Sequence, residues 1–316
     1  MIIFHDHLDG GLNAKTLLEM AINGRYEPIM NLTVEQTATL MNKSSSESLE
    51  DFLSAFIHTI AVMQTYDNLE QIAFEAAEAM HKDGIKYYES RFAPLYSVNN
   101  ELNIKDVIKA INSGFAEARK KYGIISGVIV CGMRNDPSSV KQLVDHCIKD
   151  IRDNIIGFDI AGPEQDFPPS LYKEEFSKLI NNGINLTIHA GEGAGVEYIQ
   201  DAIDCGAQRI GHGVRIIEDI DMNKNKKGKT ATYILDNQIP LEVCISSNIH
   251  TKMYSSYNDH PVKALYEMGF NISLNTDNRL MSNTSYKNEI EISKKLGLGY
   301  DINTNLDLTS DSFLKF

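Results

Sequence analysis

One phrase recurs along this chain: a helix-forming run ends at a glycine, and a short β-rich run follows. It reads AEAMHKDGIKYYESRF, KLINNGINLTIHAGE, AIDCGAQRIGHG and ALYEMGFNISLNTDN. Gly84, Gly183, Gly206 and Gly269 take the position where a left-handed residue ends a helix. Pro261 is placed at the start of the last helix, where its missing N–H costs nothing. Read throughout, the phrase gives eight strands, near residues 2–5, 86–92, 127–133, 155–160, 185–189, 208–211, 240–245 and 270–275. From the second onward they recur at intervals of roughly 25 to 40 residues, the length of a βα unit. The expected fold class is therefore α/β, a (β/α)8 TIM barrel forming one domain over residues 1–316. An open doubly wound sheet is the alternative.

The gap from Asp9 to Lys86 exceeds one crossover, so extra helices are expected after strand 1. Long insertions at this face of a barrel often act as lids. Within the gap, DFLSAF sets Phe52 and Phe56 at i, i+4 on one helical face, where they either cover a substrate or pack ordinarily. NKSSSESLED reads as the loop before that helix, with Ser48 or a neighbour as its cap.

A net charge of −13 and a pI near 5.1 argue against nucleic acid polymers, which are bound through clustered Lys and Arg. The basic cluster NKNKKGK at 223–229 reads as a solvated loop. Cys131, Cys147, Cys205 and Cys244 lie far apart without a CxxC pair and read as reduced core residues. The sequence shows no basic start followed by a long apolar run and no stretch approaching roughly 18 apolar residues, so no membrane partner is expected and the protein is read as cytoplasmic.

In a barrel, function gathers where strands end. The expected strand ends carry His5 and His7, ESR at 89–91, FDIAGPE at 158–164, HAGE at 189–192, GHG at 211–213, SSN at 246–248 and NTDN at 275–278. Residues i and i+2 of a strand share a face, so His5 and His7 project together; a lone HxH can equally be two polar residues at a strand end. Joined by His189 and by Asp277 from strand 8, the neighbour of strand 1 in a closed barrel, they make a three-imidazole, one-carboxylate set suited to zinc with room for water. His58, His81, His146, His250 and His260 fall on helices or loops and are given structural or surface roles, His260 as a helix-start residue.

The motifs HDHLDG, HAGE, RIGHG, EVCISSN and SLNTDN, in this order, together with YYESRFAP and FDIAGPE, closely resemble the adenosine deaminase family of the amidohydrolase superfamily, from residue 2 to about residue 285. The resemblance implies that His5, His7, His189 and Asp277 bind one Zn2+ per chain, which lowers the pKa of water for attack on C6 of the purine. It implies that Glu192 protonates ring N1, which requires a raised pKa. His212 would orient the attacking water, accept its proton or stabilise its charge, three roles that stay open here. Asp277 would also hydrogen-bond the attacking species. The reaction implied is hydrolytic deamination of adenosine, with 2′-deoxyadenosine, to inosine and ammonia in purine salvage.

Substrate contacts carry over in the same way. Relatives use the Asp9 position for the sugar, whereas adenine deaminases resemble HxHxEG there, so Asp9 favours a nucleoside over the free base. Gly162 would bring its backbone to purine N3. Many relatives read Asp-Asp-Pro where this chain has Asp277, Asn278 and Arg279; their second Asp must be protonated to donate to N7, whereas an Asn amide donates without any pKa shift. The short lead-in before His5 and the short end LTSDSFLKF are further departures.

Other readings are a deaminase of another aminopurine such as adenine, and an inert barrel that only binds nucleosides, which should have lost a ligand or Glu192. A two-metal hydrolase needs a bridging lysine on strand 4, and IIGFDIAG has none. A cytidine deaminase needs CxxC, and AMP would call for a basic cluster at the rim. The expected partner is a small-molecule nucleoside; the oligomeric state stays open, a homo-oligomer included.

Overall fold

The computed structural model describes residues 1–99, 101–224, 226–299 and 311–314. Eight parallel strands lie in the order β1 (Ile2–Ile3), β2 (Tyr87–Phe92), β3 (Ile125–Met133), β4 (Gly157–Ala161), β5 (Asn185–Ala190), β6 (Arg209–His212), β9 (Leu241–Val243) and β10 (Ile272–Leu274). Between β6 and β9 runs a separate antiparallel ribbon, β7 (Ile220–Asp221) with β8 (Lys226–Lys227). Each expected strand is found within a few residues of its place. The largest difference is at the start: regular pairing of β1 stops at Ile3, so His5 and His7 stand on an irregular extension.

That extension closes the barrel. The side-chain oxygen of Asn275 accepts from the backbone N–H groups of Phe4 and His5 at 2.9 and 3.1 Å. Above it, the Asp277 N–H donates to His5 O at 3.0 Å and the His7 N–H to Asp277 O at 2.9 Å. Two segments far apart in sequence, carrying His5, His7 and Asp277, are thereby stitched together by backbone bonds.

Six helices fill residues 14–82: α1 (Ala14–Asn23), α2 (Glu27–Met30), α3 (Val34–Met41), α4 (Leu49–Leu53), α5 (Phe56–Val62) and α6 (Tyr66–Lys82). α6 has good signals at both ends: Thr65 caps the Asn68 N–H, Asp67 lies in the first turn, and His81 and Lys82 lie in the last, each favourable to the helix dipole. Its buried face, Leu69, Ile72, Ala73, Ala76, Ala77 and Met80, has the three-to-four spacing of an amphipathic helix. Ser48 caps α4 through the Asp51 N–H at 3.1 Å, as the sequence suggests. However, the DFLSAF helix does not run through: α4 ends at Leu53 and α5 starts at Phe56, so Phe52 and Phe56 sit on two successive helices.

Gly84, Gly183, Gly206 and Gly269 have φ of 88, 74, 92 and 87°, the left-handed geometry expected at helix ends. Pro261 caps the helix Val262–Glu267, but this is not the last helix, since Tyr286–Lys295 follows. The basic cluster is largely exposed and forms part of the β7–β8 ribbon, with Asn225 outside the described residues. All four cysteines are buried and unpaired. Of LTSDSFLKF, only Asp311–Leu314 lies within the described residues. There the Phe313 ring packs 3.7 Å from the Arg209 guanidinium, and Glu89 accepts from Ser312 Oγ and the Phe313 N–H. No helix among the described residues is long and apolar enough to cross a membrane.

Candidate active site

A metal centre needs donor atoms that face one point with their lone pairs free. His5 Nδ1 lies 3.0 Å from Glu242 Oε2, and His189 Nδ1 lies 2.8 Å from Asp159 Oδ2. A carboxylate only accepts, so each imidazole carries its proton on Nδ1 and turns an Nε2 lone pair inward. His5 Nε2 is buried with no hydrogen-bond partner. The Nε2 atoms of His7 and His189 are 3.2 Å apart, and Asp277 Oδ1 lies 3.6 Å from His5 Nε2 and 3.5 Å from His7 Nε2. Tetrahedral zinc with bonds of about 2.0–2.1 Å separates its ligand atoms by about 3.3 Å. The donor set fits such an ion. Cys244 also approaches His5 and Asp277; its thiol donates to the Glu242 carbonyl oxygen at 3.5 Å, and burial raises its pKa well above the usual range.

The carboxylates that orient these histidines belong to a charge lattice inside the barrel. Arg91 bridges Asp159 and Glu242, and Arg209 bridges Glu242 and Glu89. All five side chains have 1% exposure or less. Buried charges survive only when paired and hydrogen-bonded, and here Glu242 and Asp159 also hold the rings of His5 and His189 in place. The ESR and FDIAGPE segments are thus only partly at the rim: Glu89, Arg91 and Asp159 lie within the barrel.

Opposite the histidines, Glu192 Oε2 is 3.4 Å from His212 Nε2, which is 4.0 Å from Asp277 Oδ2. Burial, then the charges of Asp277 and Glu164, push the Glu192 carboxyl well above the usual glutamate range, which favours its protonated form. Burial holds His212 well below its ordinary value, hence neutral. Glu164 accepts from the N–H groups of Gly191, Glu192 and Ala194 at 3.1, 3.1 and 2.8 Å and so pins the loop that presents Glu192. His212 and Asp277 both adopt left-handed backbone, φ 59 and 55°. Such a residue costs on the order of 1–3 kcal/mol unless its surroundings enforce it; at Asp277 the bonds to His5 and His7 do so.

His7, Phe52, Phe56, Gly162, His189, Glu192, His212, Asp277 and Asn278 line one cavity, with His5 directly behind it. This cavity shares His7, Leu53, Phe56, Ala161 and Gly162 with a second of about 540 Å³ that ends on Asp9, Ile57, Ile60 and Tyr96. Asp9 Oδ1 is buried without a hydrogen-bond partner among the described residues, with His7 Nδ1 3.8 Å away, and burial pushes its carboxyl up to about 7. The Asn278 amide donates to Asp277 Oδ1 at 2.7 Å, while its oxygen packs against Gly10, where a Cβ would lie 1.9 Å away.

The structure therefore places His5, His7, Phe52, Phe56, Gly162, His189, Glu192, His212, Asp277 and Asn278 at or directly behind one cavity and Asp9 in the adjoining one, whereas Glu89 and Arg91 of the ESR segment lie inside the barrel. Sequence reasoning assigned no role to Asp159, Glu242, Arg91, Glu164 or Asn248, although most fall inside quoted motifs. A signal existed for two of them: a single carboxylate within the apolar runs FDIAG and LEVC must be buried, hence paired. His260 does start a helix, its Nδ1 accepting the Val262 N–H at 3.2 Å.

The chain matches the family model described as adenosine deaminase over residues 2–313. Adenosine deaminase 1 of Streptomyces coelicolor is 39% identical over 301 residues, 92% of this chain and 76% of that protein. An adenine deaminase from Arthrobacter aurescens superposes with a TM-score of 0.89 at 21% identity, covering 99% of this chain and 94% of that one. A zinc-bound amidohydrolase from Burkholderia ambifaria gives 0.84 at 20% identity, covering 99% and 85%. At such identities the two structures speak for the barrel alone. With the family model spanning nearly all residues and a relative this close, the chain belongs to the adenosine deaminase family.

Proposed function

We propose that this chain hydrolyses adenosine, and 2′-deoxyadenosine with it, to inosine and ammonia, using one zinc ion held by His5, His7, His189 and Asp277. The observation that carries the reading is the convergence of this donor set beside the carboxyl of Glu192, which lies against His212. Zinc at that point supplies Lewis acidity that draws the pKa of water down to about 7. Glu192 gives its proton to purine N1, making C6 electrophilic. His212 Nε2 and Asp277 Oδ2 flank the space from which water attacks, and the buried walls exclude competing solvent. The proton given up by the attacking water passes to the exocyclic nitrogen, which leaves as ammonia as the C6–N bond breaks and C6 becomes the carbonyl of inosine.

Asp9 and the adjoining cavity favour a nucleoside over adenine. A free base would leave the buried Asp9 oxygen unmatched, whereas a sugar hydroxyl supplies its donor. Among the described residues no Lys or Arg lines either cavity, which disfavours a nucleotide phosphate. We further read residues 1–316 as one deaminase domain and place it in the cytoplasm, consistent with four buried, unpaired cysteines.

The test is the fall in adenosine ultraviolet absorbance. Activity is expected in the metal-loaded protein, to vanish with a chelator and to return with zinc; an inert metal-loaded protein overturns the reading. A second expectation concerns Asn278, whose remaining N–H is assigned to purine N7. Asn278→Asp donates only while protonated, so its activity should fall as pH rises over a range where the parent stays active. An unchanged pH profile refutes the contact.

A further inference from the structure

The proton on His212 can be located by following hydrogen bonds from a donor that has no choice. The Val262 backbone N–H donates to His260 Nδ1 at 3.2 Å, so His260, whose pKa is lowered to about 3 by burial, is neutral and carries its proton on Nε2. That N–H meets Asn248 Oδ1 at 3.1 Å. The Asn248 amide is thereby oriented, with its NH2 group directed at His212 Nδ1, 3.0 Å away, and at the Met253 sulfur, 3.2 Å away. An Nδ1 that accepts has no proton of its own, so the neutral His212 ring carries it on Nε2. Reversing the amide would force His260 to accept on Nε2 and carry its proton on Nδ1, against the Val262 N–H. Two buried donors would then face each other, costing about 1–3 kcal/mol. Asn248 is fully buried and His260 is 5% exposed, so water offers no alternative partner.

We propose that Asn248, set by His260 and the Val262 N–H, is a positioning residue that locks His212 in the Nε2–H tautomer, so that this imidazole meets the attacking water as a hydrogen-bond donor and cannot serve it as a base. The assignment of a catalytic place to His212 rests on the deaminase reading above; the tautomer itself does not. Among the roles open for His212 from sequence, orientation and charge stabilisation remain and proton acceptance at Nε2 is removed. The proton released by the attacking water must therefore pass to a carboxylate, Asp277 or Glu192 once it has protonated N1.

The experiment is nitrogen-15 NMR of histidine-labelled protein, metal-loaded and chelated, with the His212 signals identified by their loss in His212→Gln. The expected spectrum has a protonated Nε2 and an unprotonated Nδ1 in both states; a protonated Nδ1 overturns the proposal whatever the activity. Asn248→Asp places an acceptor opposite Nδ1 and is expected to switch the tautomer, lowering kcat by about 100-fold or more with little change in KM. A switched tautomer with unaltered kcat overturns the mechanistic half. Should Asn248→Asp not fold, a pair at position 260 decides: His260→Gln retains an N–H toward Asn248 and should keep the Nε2–H signature, whereas His260→Leu should lose it. Loss of the signature in both variants, or in neither, overturns the relay. Failure of the deaminase reading would appear separately, as parent protein inert toward adenosine.

Discussion

Glu192→Gln is expected to lower kcat by about 10²- to 10⁴-fold, the range for removing a positioned proton donor, while the zinc content stays that of the parent. Glutamine keeps the shape and the hydrogen-bonding reach of the side chain but has no proton to give to N1. The substitution changes none of the four proposed metal donors, although Glu192 lies against His212 with Asp277 within 4.8 Å. The pH dependence has a definite sign. A folded pKa above the ordinary glutamate value means the competent form is the protonated one, present below that pKa and lost as pH rises through it. Parent activity should therefore fall on the alkaline side as Glu192 ionises, and the residual activity of the variant should lack that fall. Rates across pH, with metal content by mass spectrometry, decide it. A variant within a few-fold of the parent, or one retaining the alkaline fall, would assign the acid elsewhere.

The same buried carboxyl illustrates what a sequence discloses and what it withholds. The helix–glycine–strand phrase is legible because a left-handed C-terminal residue is a local requirement, met by one residue type at one place; all four glycines read this way have φ above 70°. The rim residues are legible because strand ends in a barrel must lie on one face. By contrast, the break between α4 and α5 is invisible in DFLSAF, whose spacing suits one continuous helix; tertiary packing of Phe52, at 1% exposure, prevails over local periodicity there. The left-handed backbone at His212 and Asp277 is hidden for the opposite reason: Asp and His enter it more often than most side chains but mostly do not, and the bonds that impose it at Asp277 come from His5 and His7, 272 and 270 positions away. The charge lattice is likewise non-local. Glu242 meets Arg91 and Arg209 only because strands far apart in sequence aim them into one lumen.

That lattice sets the largest expected stability effect. Glu242 Oε2 accepts from His5 Nδ1 at 3.0 Å and Arg91 Nη2 at 2.7 Å, while Oε1 accepts from Arg209 Nε at 2.7 Å and Thr187 Oγ1 at 3.0 Å. Glutamine at this position has one acceptor oxygen where the carboxylate has two, and its NH2 group faces donors. Both guanidiniums lose part of their counter-charge in a place water does not reach, each being 1% exposed or less. Glu242→Gln should therefore cost about 3–5 kcal/mol, the loss typical of breaking a buried ion pair, or a fall in Tm on the order of 10 °C. A second consequence follows at the metal. His5 loses the acceptor that holds its proton on Nδ1, freeing the ring to turn or to change tautomer, and affinity for zinc should drop about 10- to 100-fold. The two effects separate experimentally, because the Tm deficit persists in chelated protein whereas the affinity deficit appears only in a metal titration of the folded variant. A lowered Tm with parent zinc affinity would mean that Glu242 balances Arg91 and Arg209 without governing His5. Parent values of both would mean that the lattice is dispensable, and with it the reason this barrel buries charge beneath its site.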